Sequence, residues 1–417
     1  MSHTVVHCSV LRSLGALVLS GAVALAHAVG QPAPSPIDKI ELASGAGDVA
    51  AALRLSAELL EHTAPGDPGR VAALQARIDA VVDSGEWTAQ SAALRAAIET
   101  LPDAAQREAL LASFAAAEAA NAGNAAAMLE IAQKSLEKNL STPTTFNAEM
   151  HATAARASIL LGRMDMATSE AQVALDAWHK QAGVRARRNE ISLYLAFVQI
   201  RQMAGKLEEA LLAAEAATRI AVEVFGANSL ARIRADDQRA AMLEALQRFA
   251  EAREVREGTL KAALAVYGGH HLRTAQAEAA LGAHLQTTGN YGPAREHYAV
   301  ADSIMRTLTD AGVRERIIFH NNYANLLQEM GDEDAALEHY RSALDLAKDN
   351  RTRAIVLTNI GNTEFRLRRY EQAIADFNQA LPLREQADGK DSPGLSFALE
   401  GLGSSALALK RFADAQQ

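Results

Sequence analysis

The sequence predicts an all-α chain of stacked antiparallel helix pairs, and three observations predict it. Alanine makes up roughly a fifth of the 417 residues, while aromatic residues are only 5%. Between Pro143 and Pro293 there is no proline, a run that helices sustain and turn-rich β folds do not. From residue 155 onward, small residues recur with a period of about 42, the mark of a repeat array. A hydrophobic share of 49% with 22% charged residues describes a chain that folds. Its net charge of −9 argues against a nucleic-acid phosphate backbone as partner.

The chain opens on an export signal. Residues 1–28 carry one charged side chain, Arg12, then an apolar run over 14–26, then the small-x-small triplet Ala26-His27-Ala28. The run is shorter than the roughly 20 residues a helix needs to cross a bilayer. This predicts a cleaved signal peptide and a periplasmic or secreted protein; a buried helix of a cytosolic protein is the other reading. Residues 29–40, with Pro32, Pro34 and Pro36, read as a stiff Pro-rich linker. The only cysteine, Cys8, precedes the apolar run, so the mature chain is expected to have no disulfide and no thiolate chemistry. No later stretch is apolar enough to span a membrane.

Residues 41–145 read as divergent helical repeats, with Gly47, Gly85 and Gly123 each 38 apart. Over 146–417 the phase is sharp. Ala167, Ala210, Ala252, Ala294, Ala336, Ala373 and Ala415 follow one another at 43, 42, 42, 42, 37 and 42 residues. Twelve positions earlier stand Ala155, Val198, Ala240, Gly282, Ala324, Gly361 and Gly403. Seven positions later stand Ala174, Ala217, Thr259, Ala301, Ala343 and Ala380; four later, the last units place Tyr298, Tyr340 and Phe377. Apolar residues at i, i+3, i+4 and i+7 make two helices per unit, joined by breaks such as Met330-Gly331-Asp332. The small residues mark where the paired helices cross, about 8 Å apart. The ring is expected to fill the gap against the next pair. One pair cannot bury both apolar faces, so pairs stack.

Ala373-Ile374-Ala375-Asp376-Phe377-Asn378-Gln379-Ala380-Leu381 resembles a second helix of the tetratricopeptide repeat family. The period exceeds that family's 34 by about eight, and Phe225-Gly226-Ala227-Asn228-Ser229-Leu230 and Tyr267-Gly268-Gly269-His270-His271-Leu272 fill the extension at matching places. This is similar to the longer repeats of kinesin light chains and related bacterial proteins. The family's late proline is missing from every unit. The resemblance implies a right-handed superhelical solenoid that binds a protein or peptide along its concave groove.

Chemical motifs are decoys. Gly401-Leu402-Gly403-Ser404-Ser405-Ala406 matches a dinucleotide pattern but falls mid-helix, where its amides cannot face a pyrophosphate. Gly205-Lys206 and Gly389-Lys390 lack the upstream glycine of a phosphate loop. The adjacent rings of His270-His271 diverge and read as a polar loop, not half a metal site. Glu296-His297-Tyr298 and Glu338-His339-Tyr340 occupy one slot of two repeats, a packing or surface position before a catalytic one. No cofactor, metal or catalytic residue is expected, and the chain reads as a non-enzyme.

One constellation remains. Asn322 and Asn325 lie three apart on one first helix, Asn359 and Asn362 on the next, with Gln328 and Arg366 a turn further along. The resemblance implies that this face lines the groove. An amide donates and accepts, so it can grip a peptide backbone without reading side chains; bonds to neighbouring backbone or water are the alternative. The expected role is a protein-binding scaffold, or the sensor arm of a longer signalling protein with a cyclase, kinase or protease effector beyond residue 417. The last repeat reads as incomplete after Lys410-Arg411, which leaves Leu399, Leu402 and Leu409 for a downstream helix, a partner or a second copy to cover.

Overall fold

The computed structural model describes residues 33–138, 144–308 and 312–411, and the chain forms two compact units, Met1–Val266 and Tyr267–Gln417. Residues 1–28, where a signal peptide is expected, and Ala415 lie outside the described residues. Among those described there are nineteen helices and no strand. In the first unit these are α1 (Pro36–Ala46), α2 (Val49–Glu61), α3 (Arg70–Ser84), α4 (Trp87–Glu99), α5 (Ala104–Asn121) and α6 (Ala125–Glu137). They continue with α7 (Thr144–Leu160), α8 (Met164–Trp178), α9 (Val184–Met203), α10 (Leu207–Phe225), α11 (Leu230–Ala245) and α12 (Phe249–Tyr267), which ends at the boundary. The second unit holds α13 (Leu272–Thr287), α14 (Tyr291–Met305), α15 (Val313–Glu329), α16 (Glu333–Leu346), α17 (Asn350–Arg366), α18 (Tyr370–Asp388) and α19 (Leu395–Ala408). None of the described helices is long and apolar enough to cross a membrane.

From α7 onward, the first helix of each unit ends on a single left-handed residue. Gly162, Gly205, Gln247, Gly289, Gly331, Arg368 and Lys410 have φ of 72°, 72°, 61°, 77°, 81°, 60° and 60°. Their spacing is the repeat spacing. The next residue's amide donates back to the carbonyl five residues earlier, as in Asp332 N to Leu327 O at 2.9 Å and Arg369 N to Glu364 O at 2.8 Å. This is the Schellman closure of a helix C-terminus. At three turns a side chain occupies the left-handed region that glycine enters without a Cβ clash. Arg368, exposed and without a side-chain bond among the described residues, can be replaced without other loss. Arg368→Gly is expected to stabilise the chain by about 0.5–1 kcal/mol, read as a higher midpoint in urea.

The crossing positions are where the period puts them. Ala155, Val198, Ala240, Ala324, Ala167, Ala210, Ala252, Ala294, Ala336 and Ala373 are all fully buried. The rings reach in two directions, not only toward the next pair. A Cβ on Gly282 would sit 3.0 Å from the Tyr298 ring, and one on Gly361 would sit 2.8 Å from Phe377, both within a pair. Toward the next pair, Tyr298 stacks on Tyr323 at 5.1 Å between centroids. A Cβ on Gly401 would meet Phe377 at 2.2 Å. The glycine of the dinucleotide-like pattern is therefore a seat for a core ring.

The linker ends earlier than expected. Ser35 Oγ accepts from Asp38 N at 3.1 Å while Asp38 reaches back to Ser35 N at 3.3 Å, a capping box with Pro36 at the first helical position. Residues 36–40 are thus the start of α1. Proline here initiates a helix, because the first turn has no intrahelical use for the N–H it lacks. Ile40 and Ala43 are buried, Leu42 packs on the cluster of Ile191, Ile220 and Phe225, and a Cβ on Gly45 would overlap the Phe225 ring. Asp38 Oδ1 accepts from Val184 N at 3.2 Å. The N-terminal helix is packed against α9 and α10, some 150 residues away in sequence.

Candidate functional site

The amide face lies on α15 and α17, the first helices of adjacent pairs. Asn359 Nδ2 donates to Asn321 Oδ1 at 2.8 Å, and Gln328 Nε2 to Thr363 Oγ1 at 3.4 Å. Arg366 Nη2 donates to the Gln328 carbonyl at 3.2 Å and pairs with Glu333 Oε1 at 2.9 Å. Within the earlier pair, the Tyr340 hydroxyl donates to Asn325 Oδ1 at 2.5 Å. Burial pushes that phenol above its ordinary value, so it remains a donor. Asn325, Gln328, Asn359 and Arg366 are therefore tied into a ladder that joins one pair to the next. Asn322, half-buried, and Asn362, exposed, make no side-chain hydrogen bond among the described residues. The ladder's fourth amide, Asn321, is absent from the sequence-derived set because it falls one residue out of repeat phase with Asn359.

A second polar feature sits in the first unit, in a cavity of about 330 Å³ lined by α1, α3, α7 and α9 among others. Arg188 bonds Glu41 Oε2 at 2.6 Å and also pairs with Asp83; Arg185 pairs with Glu149 at 2.8 Å and Asp79 at 3.0 Å. Burial alone would lower both guanidinium pKa values, but the surrounding carboxylates raise them and keep both charged. Burial pushes Glu149 up to about 7 against the pull of Arg185, and it raises Glu41 as well. Glu41 is 1% exposed. Three of these four pairs span more than 100 residues of sequence, which no local motif could announce. Their arrangement is that of a buried clamp holding α1 in place.

The histidines fall in a repeated slot. His151 Nδ1 meets Glu170 at 2.6 Å, and His297 Nδ1 meets Glu278 at 2.6 Å, each joining the two helices of a pair. In α15 and α16 both positions are histidine, and His320 Nδ1 lies 3.0 Å from His339 Nδ1. Burial and the neighbouring His339 push His320 down to about 4, and burial lowers His339. Elsewhere, His271 Nδ1 accepts from Arg273 N at 3.0 Å and its ring stacks on Tyr267, so it caps α13.

Tetratricopeptide-repeat sequence profiles match residues 230–306 and 352–417, and a second profile of that repeat matches 319–350. Over these residues the chain carries tetratricopeptide repeats. No match was found among curated proteins. Among solved structures, a Rap protein complexed with Competence and Sporulation Factor superposes with a TM-score of 0.53 at 14% identity, covering 85% of this chain and 98% of its own. A tetratricopeptide repeat protein from Parabacteroides merdae gives 0.47 at 15% identity, over 71% of this chain and 98% of its own. The kinesin-light-chain-type TPR-like repeats from Podosopora anserina give 0.41 at 14%, over 49% and 96%. Tetratricopeptide-repeat arrays are scaffolds for protein–protein interaction, and the helix pairs described above are those of such an array.

Proposed function

We propose that this tetratricopeptide-repeat chain is a non-catalytic scaffold whose second unit holds an extended peptide segment across α15 and α17. The observation that carries the reading is the amide ladder with Asn322 and Asn362 beside it, neither of them committed to the fold. A side chain already bonded between helices fixes the spacing of the face; one left without a partner can exchange water for a peptide group. Arg366, anchored by Glu333 but half exposed, adds a cation at one end of the face. The Rap protein of similar fold is itself a complex with a bound factor, which is in keeping with a ligand-binding role.

Peptides selected from a displayed random library on the immobilised full chain provide the test. Asn322→Ala and Asn362→Ala are each expected to weaken the selected peptides by about 1 kcal/mol, close to fivefold in Kd, with the melting temperature unchanged. Unchanged affinity in both variants would sink the assignment of this face.

We further propose that the protein works outside the cytoplasm, on the strength of the apolar run at 14–26 and Ala26-His27-Ala28. Intact mass of the protein from its native host should give a mature N-terminus near Val29. A cytosolic form that retains Met1 as the sole species would contradict it.

A further inference from the structure

The repeat slot that joins the two helices of a pair holds His151 with Glu170, Tyr194 with Ala213, Asp236 with Val255, Glu278 with His297, His320 with His339, and Leu357 with Asp376. Where histidine appears with glutamate, the pair satisfies itself: the ring donates and the carboxylate accepts. Only at α15–α16 do two rings meet, and they meet through the same atom, Nδ1 to Nδ1.

The carboxylate missing from that pair comes from α14. Asp302 stands at the position that holds Leu175, Thr218, Leu260, Leu344 and Leu381 in the other units, so a carboxylate here replaces what is usually a packing leucine. Its Oδ2 accepts from Arg306 Nε at 2.7 Å, but its Oδ1 is buried with no hydrogen-bond partner. A buried acceptor left without a donor costs stability unless something else fills its place. One donor atom from each of Asp302, His320 and His339 lies within 4.8 Å of the other two. Phe319 and Tyr323 wall the cluster, with the Tyr323 and His339 ring centroids 4.5 Å apart.

We propose that Asp302, His320 and His339 form a binding site for a divalent transition-metal ion of the Zn²⁺ type. Two imidazole nitrogens and one carboxylate oxygen are a donor set such ions take. Tetrahedral bonds of about 2.0–2.1 Å place ligand atoms about 3.3 Å apart, and the two Nδ1 atoms already stand at 3.0 Å. Asp302 closes the set from within 4.8 Å by a side-chain shift of at most about 1.5 Å, and water takes the fourth position. The three ligands belong to α14, α15 and α16, so the ion would staple one pair to the next, immediately beside the amide face. The site does not rest on the peptide-binding reading and can be tested apart from it.

The test uses the untagged full chain, freed of metal by chelator and dialysis, and titrated with Zn²⁺ by calorimetry and with Co²⁺ by visible absorption. One high-affinity equivalent is expected, with the d–d bands of a four-coordinate Co²⁺ site and a higher melting temperature. His339→Gln and Asp302→Asn are each expected to weaken binding by about 100-fold or more and to abolish the thermal shift. His270→Ala with His271→Ala is expected to leave both intact. Failure of the unsubstituted chain to take up Zn²⁺ overturns the proposal. So does an equivalent bound as tightly in His339→Gln and Asp302→Asn, which places the metal elsewhere. Circular dichroism of each variant verifies that the helices remain.

Discussion

Phe377→Ala is expected to destabilise the second unit by about 3–5 kcal/mol, read as faster hydrogen exchange across α17, α18 and α19. Phe377 is fully buried, and glycines on two different helices face its ring. Gly361 belongs to the same pair, and Gly401 to the next. The ring is thus the contact through which one pair rests on another, and removing it opens a cavity that backbone on both sides can fill only by moving. Phe377→Leu keeps most of the volume and should cost markedly less. The complementary change, Gly401→Val, pushes a branched side chain into the same ring and should be destabilising as well.

Arg188→Ala is expected to cost a similar amount, about 3–5 kcal/mol, in the first unit. The guanidinium is enclosed with Glu41 and Asp83, and its removal leaves Glu41 buried at 1% exposure without its 2.6 Å partner. The expense lies in the carboxylate left behind more than in the bond lost. A double change, Arg188→Met with Glu41→Gln, should therefore recover much of the stability that Arg188→Ala loses. Both tryptophans, Trp87 and Trp178, are buried in this unit, so their fluorescence in a urea titration reports it directly.

The contrast between these residues explains what could be read in advance. Gly361 and Phe377 lie sixteen apart in one repeat, and the same spacing recurs in Gly282 and Tyr298, so periodicity alone exposes their contact. Glu41 and Arg188 are separated by 147 residues and sit in no shared register. Nothing in a repeat pattern connects them. The helix that carries Glu41 did have a local sign, Ser35-Pro36-Ile37-Asp38, but the prolines before it suggest a linker more loudly than the capping box suggests a helix. The amide face shows the limit in a third way. Its residue types and spacing are visible in sequence, yet the split between ladder members and unpartnered side chains depends on how α15 and α17 lie side by side. Asn321, which bonds Asn359, is out of phase by one and so escapes a strictly periodic reading.

The most direct measurement of the central claim is hydrogen–deuterium exchange of the full chain with and without a saturating selected peptide. The account predicts slowed exchange in the peptide-bound state across 316–329 and 350–366, the two helices that carry the amide ladder. Protection confined to other segments, with these two helices unchanged, would contradict it.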